Sequence, residues 1–379
     1  MSYLEYTVKS TPTGLRKILF LNWPLTLLLS SVACVGFLML YSVAGGSFTP
    51  WAEPQMKRFA VGLVLMIAIG MTPIWFWRSI AGFCYGVTVI LLIAVDLFGE
   101  EGKGAQRWID LGFMRLQPSE LMKITLVMFL AAYYDWLPPE KKSRPLWVLL
   151  PIAIILLPTA LVIQQPDLGT SLLLVMAGGG IMFLAGVHWA YFAAVITSGV
   201  GLIVAVFQSR ETSWQLLNNY QYRRIDTFID PSADPLGAGY HITQSKIALG
   251  SGGWTGRGFM QGPQSRLNFL PEKHTDFIFT TLAEEFGFVG GISLLVIYLL
   301  VIFFCIASAL ANRDRFSSLL ILGIALNFFL FFAVNMAMVM GLIPVVGVPL
   351  PLVSYGGSAM LVLMLAFGLV QSAHVHRPR

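Results

Sequence analysis

Ionisable side chains are scarce in this chain, and those that interrupt its apolar stretches are the ones able to do chemistry. Asp276 is the most informative. It closes the polar string Pro271-Glu-Lys-His-Thr-Asp276 and immediately precedes Phe277-Ile-Phe279. A carboxylate at such a junction, partly withdrawn from water, is suited to general-base work. Capping the following helix is the ordinary use of an aspartate there, but His274 and Thr275 crowd the same junction and a cap needs neither. Glu120 and Lys123 stand three residues apart after Gln117-Pro118-Ser119, a plausible helix start, and so share one helical face. They form an ion pair steadying that helix, or they line a substrate groove with Arg107 just upstream, and both uses are compatible. Glu284 and Glu285, adjacent in an otherwise apolar run, point in different directions, so at least one must meet protein or water. A structural hydrogen-bonding role suits them best. Asp167, in Gln164-Gln-Pro-Asp-Leu-Gly169, reads as a polar turn or as part of the same groove. The glycine-rich Gly250–Gly258, with Arg257, could offer backbone N–H groups to a phosphate, but it lacks the lysine order of a nucleotide-binding loop.

The elements that must position these residues are apolar. The 379 residues are 56% hydrophobic and 11% charged, where a soluble domain carries roughly 25% charged residues. Lipid is therefore the expected solvent. The net charge of +5 does not point to nucleic acid, because the basic residues gather at the ends of apolar segments, where they orient a membrane protein. Cys34, Cys84 and Cys305 all lie inside apolar stretches with no metal or disulfide spacing. A membrane span needs about 20 apolar residues. Such runs occur near 20–43, 57–75, 77–98, 118–135, 146–165, 168–186, 188–208, 277–309, 316–340 and 351–374. The polar start followed by an apolar run without a cleavage signature reads as a retained first helix. The fold expected is an all-α polytopic membrane protein of about ten transmembrane helices.

An even number of spans puts both termini on one side. Placing them in the cytoplasm gives the inside segments about twice the positive charge of the short outside loops. Segment 99–117, the turn at 165–168 and the long stretch 209–275 then face outward. Residues 1–379 read as one transmembrane domain, with 209–275 as its large extracytoplasmic loop. Loops this long are uncommon unless functional.

Several strings, taken in order, resemble the SEDS family (shape, elongation, division, sporulation), and most of all its rod-shape branch. They are Lys103–Gly112, Gln117–Lys123, Gln165–Thr170, Phe269–Phe279, Ala283–Gly287 and Pro349–Ser358. The resemblance covers nearly the whole chain. It implies a peptidoglycan glycosyltransferase that polymerises lipid II into β-1,4 glycan for cell elongation. The donor would be a glycan on undecaprenyl pyrophosphate and the acceptor lipid II. Asp276 matches the family's catalytic aspartate, the base that takes the acceptor's 4-hydroxyl proton in one inverting displacement. Arg107, Glu120, Lys123, Asp167, Lys246, His274 and Thr275 are the candidate substrate-binding residues. The outward cations Arg223, Arg224, Arg257, Arg266 and Lys273 could join Arg107 and Lys246 in holding the pyrophosphate. A divalent cation (Mg or Mn) could assist there, although no dedicated site is visible. The family also implies a class B penicillin-binding protein, a transpeptidase, as partner, along with rod complex proteins, and a place in the bacterial inner membrane with the active site facing the periplasm. Two other readings use the same charges: a lipid II flippase, and a non-catalytic activator of the transpeptidase. A flippase needs charges at the midplane and on both sides, whereas the polar strings here crowd the outer face.

Overall fold

The structure, a computed structural model, describes residues 14–377 except 103–104, 111, 113–114, 211, 213, 217–221, 223–225, 227–228, 231–237, 268 and 271. Lys103, Arg223 and Arg224 therefore lie outside the described residues. Each apolar run has become a helix. These are α1 (Trp23–Val43), α2 (Ala52–Met71), α3 (Ile74–Phe98), α4 (Pro118–Trp136), α5 (Pro145–Gln164), α6 (Leu168–Leu184) and α7 (Trp189–Gln208), then α10 (Ile278–Leu310), α11 (Arg315–Val339) and α12 (Gly357–Val375). At a rise of about 1.5 Å per residue, some 20 residues cross a hydrocarbon core of roughly 30 Å. Eight of these helices are long and apolar enough to do so: all except α4 and α6. The 17-residue α6 is apolar but shorter. Carrying Glu120, Lys123 and Asp135, α4 is sheltered among α3, α5, α6, α11 and α12. The chain is an all-α polytopic membrane protein.

Local chemistry sets the helix boundaries. Asn22 accepts from the Leu25 amide at 3.2 Å to start α1, Asp167 from Thr170 at 3.1 Å to start α6, and Asp314 from Ser317 at 3.0 Å to start α11. Pro118 and Pro145 occupy first turns, where the missing N–H costs nothing. The last helix is clasped to the start of the first and to the end of the second. Gln371 donates to the Asn22 carbonyl and accepts from the Asn22 amide, and Ser372 Oγ donates to the Thr72 carbonyl at 2.6 Å. Close packing of α12 on α2 relies on a small residue: a Cβ at Gly62 would meet Met364 at 2.8 Å.

Three segments differ from the sequence reading. Between α3 and α4 three short strands form a small antiparallel sheet, β1 (Glu100–Gly102), β2 (Ala105–Asp110) and β3 (Arg115–Leu116). The long outer stretch contains α8 (Ala238–Ser251) and the one-turn α9 (Pro263–Arg266), with α8 packed on α10 and α11. The last helix starts at Gly357, six residues later than its apolar run, because Leu352 stands at φ 64°, outside helical backbone, and the Tyr355 amide is given to the His274 carbonyl.

One helix is broken inside. Gly287 has φ 66° and ψ −160°, so α10 is two helices joined at a kink. The glycine-rich loop repairs the interrupted ladder. The amides of Arg257 and Gly258 donate to the carbonyls of Glu284 (2.9 Å) and Glu285 (3.0 Å), and Phe288 and Val289 donate back to Gly253 (2.8 Å) and Trp254 (3.1 Å). Two of the N–H groups that could have met a phosphate are thus committed to protein.

Candidate active site

Asp276 sits two residues before α10, half-buried, and its setting is built by α11 and the irregular segment 341–356. Asn335, fully buried in α11, donates from Nδ2 to the Asp276 carbonyl at 2.9 Å and to the Val348 carbonyl at 2.6 Å. Gly347, at φ 70°, lies against the carboxylate: a Cβ there would be 3.6 Å from Oδ2. The two residues before Asp276 are pinned from the same segment. Ser354 Oγ donates to the Thr275 carbonyl at 2.6 Å, and the Tyr355 amide donates to the His274 carbonyl at 2.9 Å. The His274 ring stacks on Trp51 with centroids 4.6 Å apart and 13° between planes. Thr275 Oγ1 donates to Glu272 at 2.8 Å. The Asp276 side chain is therefore presented by a backbone fixed on three consecutive residues.

Glu120 and Lys123 form the expected pair, 2.8 Å apart, with side chains 12% and 4% exposed. The Lys123 ammonium also lies 3.8 Å from the centre of the Phe331 ring. They line an open cleft among α4, α11, α12 and segment 349–356, whose walls are otherwise mostly apolar. Gln55 and Asn327 add polar groups, and Ser354 belongs to this wall while also holding Thr275. One short segment thus separates the Glu120–Lys123 pair from the residues leading into Asp276. Asp276 itself does not line the cleft, and neither do Arg107, Asp167 and Lys246.

Arg107 and Asp167 meet at one turn. Arg107 in β2 donates to the carbonyls of Gln165 (2.9 Å) and Pro166 (2.6 Å), bolting the sheet onto the start of α6. Asp167 is 8% exposed and spends both oxygens on Thr170, one on its amide and one on its hydroxyl at 2.9 Å. Asp167 also lies within Coulombic reach of Lys123. Lys246 in α8 runs against the Gly341 turn, where a Cβ would be 3.0 Å from its Nζ. Next to it, Ser245 Oγ donates to the Val339 carbonyl at 2.6 Å.

The paired glutamates are structural, as their positions suggested. Glu284, 1% exposed, accepts from the Gln264 amide at 2.9 Å and the Ser265 amide at 3.3 Å, so its carboxylate caps α9. Glu285, 2% exposed, accepts from Ser42 Oγ. Lys273 donates to the Ser265 carbonyl at 2.6 Å, and burial pulls its ammonium below the usual lysine range, against the attraction of Glu285. Among the described residues, no three His, Cys, Asp or Glu side chains gather as a metal site would need.

Asn335, Ser354, Gln55 and Trp51 were not singled out from the sequence. Asn335 carried the clearest signal, as the lone strongly polar residue in the second half of an apolar span. Ser354 and Gln55 act through partners hundreds of residues away or on a distant helix, and nothing local marks them.

Comparison with known proteins places this architecture. The FtsW/RodA/SpoVE family, described as "Cell cycle protein", matches residues 19–379. The chain is 43% identical over 353 residues to the peptidoglycan glycosyltransferase MrdB of Escherichia coli (strain K12), covering 93% of this chain and 92% of that protein. It is 35% identical over 345 residues to the probable peptidoglycan glycosyltransferase FtsW of Escherichia coli O6:H1, covering 88% and 81%. Among solved structures, the rod shape determining protein RodA of Thermus thermophilus superposes with a TM-score of 0.71 at 27% identity, covering 95% of this chain and 98% of that one. A chain from a peptidoglycan synthase complex, described as coordinating polymerization and crosslinking, gives 0.80 at 29% identity, covering 93% and 97%. The fold and site thus define a multi-pass membrane protein of the SEDS class. The chain belongs to the FtsW/RodA/SpoVE family.

Proposed function

We propose that this chain is a peptidoglycan glycosyltransferase that polymerises lipid II into β-1,4 glycan, with Asp276 as general base. The observation that carries the reading is the fixed presentation of Asp276: Asn335 holds its carbonyl, Ser354 and Tyr355 hold the two residues before it, and Gly347 lies against its carboxylate. In the reaction, the acceptor's 4-hydroxyl oxygen attacks the anomeric carbon of the donor. Its proton passes to an Asp276 carboxylate oxygen, and the bond from C1 to the diphosphate oxygen breaks with the electron pair leaving on the diphosphate. One displacement inverts the α-linked donor to a β product. A rigidly held base removes the cost of orienting the carboxylate at the moment of attack. No step is routed through a metal ion.

The buried Glu120–Lys123 pair and its apolar cleft suit the part of the substrate where sugar or diphosphate meets a polyprenyl tail. Both termini are cytoplasmic in this reading, and Asp276 faces the periplasm beside the 209–275 loop. A class B penicillin-binding protein would crosslink the strands, in keeping with the description of the similar synthase complex. The test is polymerisation of lipid II by the purified protein beside a transpeptidase whose own nucleophile is removed. Asp276→Asn should abolish glycan synthesis while the protein still folds and inserts. Robust synthesis by that variant would remove Asp276 from the mechanism.

A further inference from the structure

One charged side chain near Asp276 takes no part in that chemistry. Arg58 lies in the second turn of α2, three residues after Gln55 and therefore on the same helical face. Its guanidinium carbon sits 5.2 Å from the centre of the Tyr355 ring. Its Nη1 is sealed from solvent without a hydrogen-bond partner, and no ion pair among the described residues includes it. Arg58 as a whole is only half-buried, but a charged N–H nitrogen sealed from water without a partner is costly and calls for one. Three other cations of the candidate site are already engaged: Arg107 with two carbonyls, Lys123 with Glu120, Lys273 with Ser265.

The place of Arg58 identifies the partner's chemistry. Tyr355 ties its amide to the His274 carbonyl, and its ring lies 6.2 Å from the His274 ring, two residues from Asp276. Gln55 donates to the Ser354 carbonyl at 3.0 Å and accepts from the Gly356 amide at 3.4 Å, so this face of α2 abuts the start of α12. There the N-cap is Gly356, which offers no side chain, and the space beside Gly357 is open. An anion at this corner would meet the planar guanidinium fork and the positive end of a 19-residue helix together. A guanidinium matches phosphate oxygens in geometry as well as in charge.

We propose that Arg58 grips the diphosphate of the polyprenyl-linked sugar at the corner between Tyr355, His274 and the start of α12. This rests on the reading of the chain as a glycosyltransferase, in which donor and acceptor both carry that group. On the donor the diphosphate is the leaving group, and its charge grows as the C1–O bond breaks. On the acceptor it is a tether.

The experiment uses the full chain in nanodiscs, made inactive by Asp276→Asn so that binding is read without turnover. Undecaprenyl diphosphate is the probe and undecaprenyl monophosphate the control. Arg58→Ala should weaken diphosphate binding about 10- to 100-fold, the loss of one charge-assisted contact, and weaken the monophosphate less. Arg58→Lys, which keeps the charge but not the fork, should fall between and remains informative if the alanine variant folds poorly. With Asp276 restored, shorter glycan strands from Arg58→Ala would assign the donor's diphosphate, and a raised KM for lipid II at unchanged strand length the acceptor's. Undiminished diphosphate binding by both Arg58 variants, alongside normal glycan synthesis with Arg58 intact, would overturn this assignment alone. No diphosphate binding and no glycan with Arg58 in place would overturn the glycosyltransferase reading with it.

Discussion

Replacing Gly287 with alanine should separate the two halves of α10 from the loop that joins them. The backbone there, at φ 66° and ψ −160°, occupies a region essentially reserved for glycine, and a side chain in it costs about 1–3 kcal/mol. The added methyl would also stand 2.7 Å from the carbonyl carbon and oxygen of Trp254. Those are backbone atoms of the repairing loop and cannot rotate aside, so overpacking adds roughly 1–3 kcal/mol. Together the two effects come to about 2–6 kcal/mol, a large share of the 5–15 kcal/mol that typically separates native from unfolded protein. Thermal unfolding in detergent, followed by intrinsic fluorescence, should show a marked fall in Tm for Gly287→Ala. Lipid II polymerisation should fall as well, because the first half of α10 follows directly on Asp276 and anchors it from the C-terminal side. Gly199→Ala is the control. Gly199 lies inside α7, and a Cβ there would find nothing within 4 Å, so alanine should be neutral or stabilising by up to about 1 kcal/mol. If Gly287→Ala melted at the temperature of Gly199→Ala, the kink and its glycine would not be what holds this region together.

Three further outcomes are expected. Asn335→Leu should strip the carbonyls of Asp276 and Val348 of their shared donor, at about 1–3 kcal/mol for each buried group left unsatisfied. Steady-state kinetics should show kcat falling more than KM, and an unchanged kcat would mean that Asn335 does not position the base. Lys123→Met should leave Glu120 buried without its partner and destabilise by about 3–5 kcal/mol, whereas adding Glu120→Gln should recover part of the melting temperature. Equal melting of single and double variants would show that the pair is not coupled. Burial depresses the His376 imidazole below its ordinary 6.5; the Ser372 carbonyl opposes this and Lys17 adds to it. The folded state thus favours the neutral ring, and the stability it contributes is complete above pH 6.5 and lost as pH falls through the lowered value. Between about pH 7.5 and 5.5, Tm should drop more for the native chain than for His376→Asn, and identical pH slopes would refute the effect.

The spans were legible because each is a long apolar run ended by charge, proline or an amide, and lipid leaves the chain little choice of backbone structure within such a run. Asp167 and Pro166 divided α5 from α6 as their types suggested. Residues 351–356 were misread because Pro351-Leu-Val353 is as apolar as a helix, and hydropathy alone does not register a backbone such as that of Leu352, at φ 64°. Helix α8 went unseen for the opposite reason, since its composition is that of a polar loop and its stability comes from packing on α10 and α11. For the candidate site, the acids and cations stood out as ionisable residues in apolar surroundings. Their partners did not. Whether Glu284 meets a substrate or the amides of Gln264 and Ser265 depends on a kink that brings a distant loop against it.

The pinning of residues 274–276 also bears on how the protein is made. Three of the groups that fix them, Asn335, Ser354 and Tyr355, are translated after them, and Ser354 is in turn held by Gln55 from near the beginning. The bonds from Ser354 and Tyr355, which stand just ahead of the final helix, are the last that the growing chain can make. During synthesis and insertion the nascent chain therefore carries its candidate base loosely held, and a ribosome stalled short of residue 357 would leave an inert membrane protein. Competence arrives in one step, with the last helix.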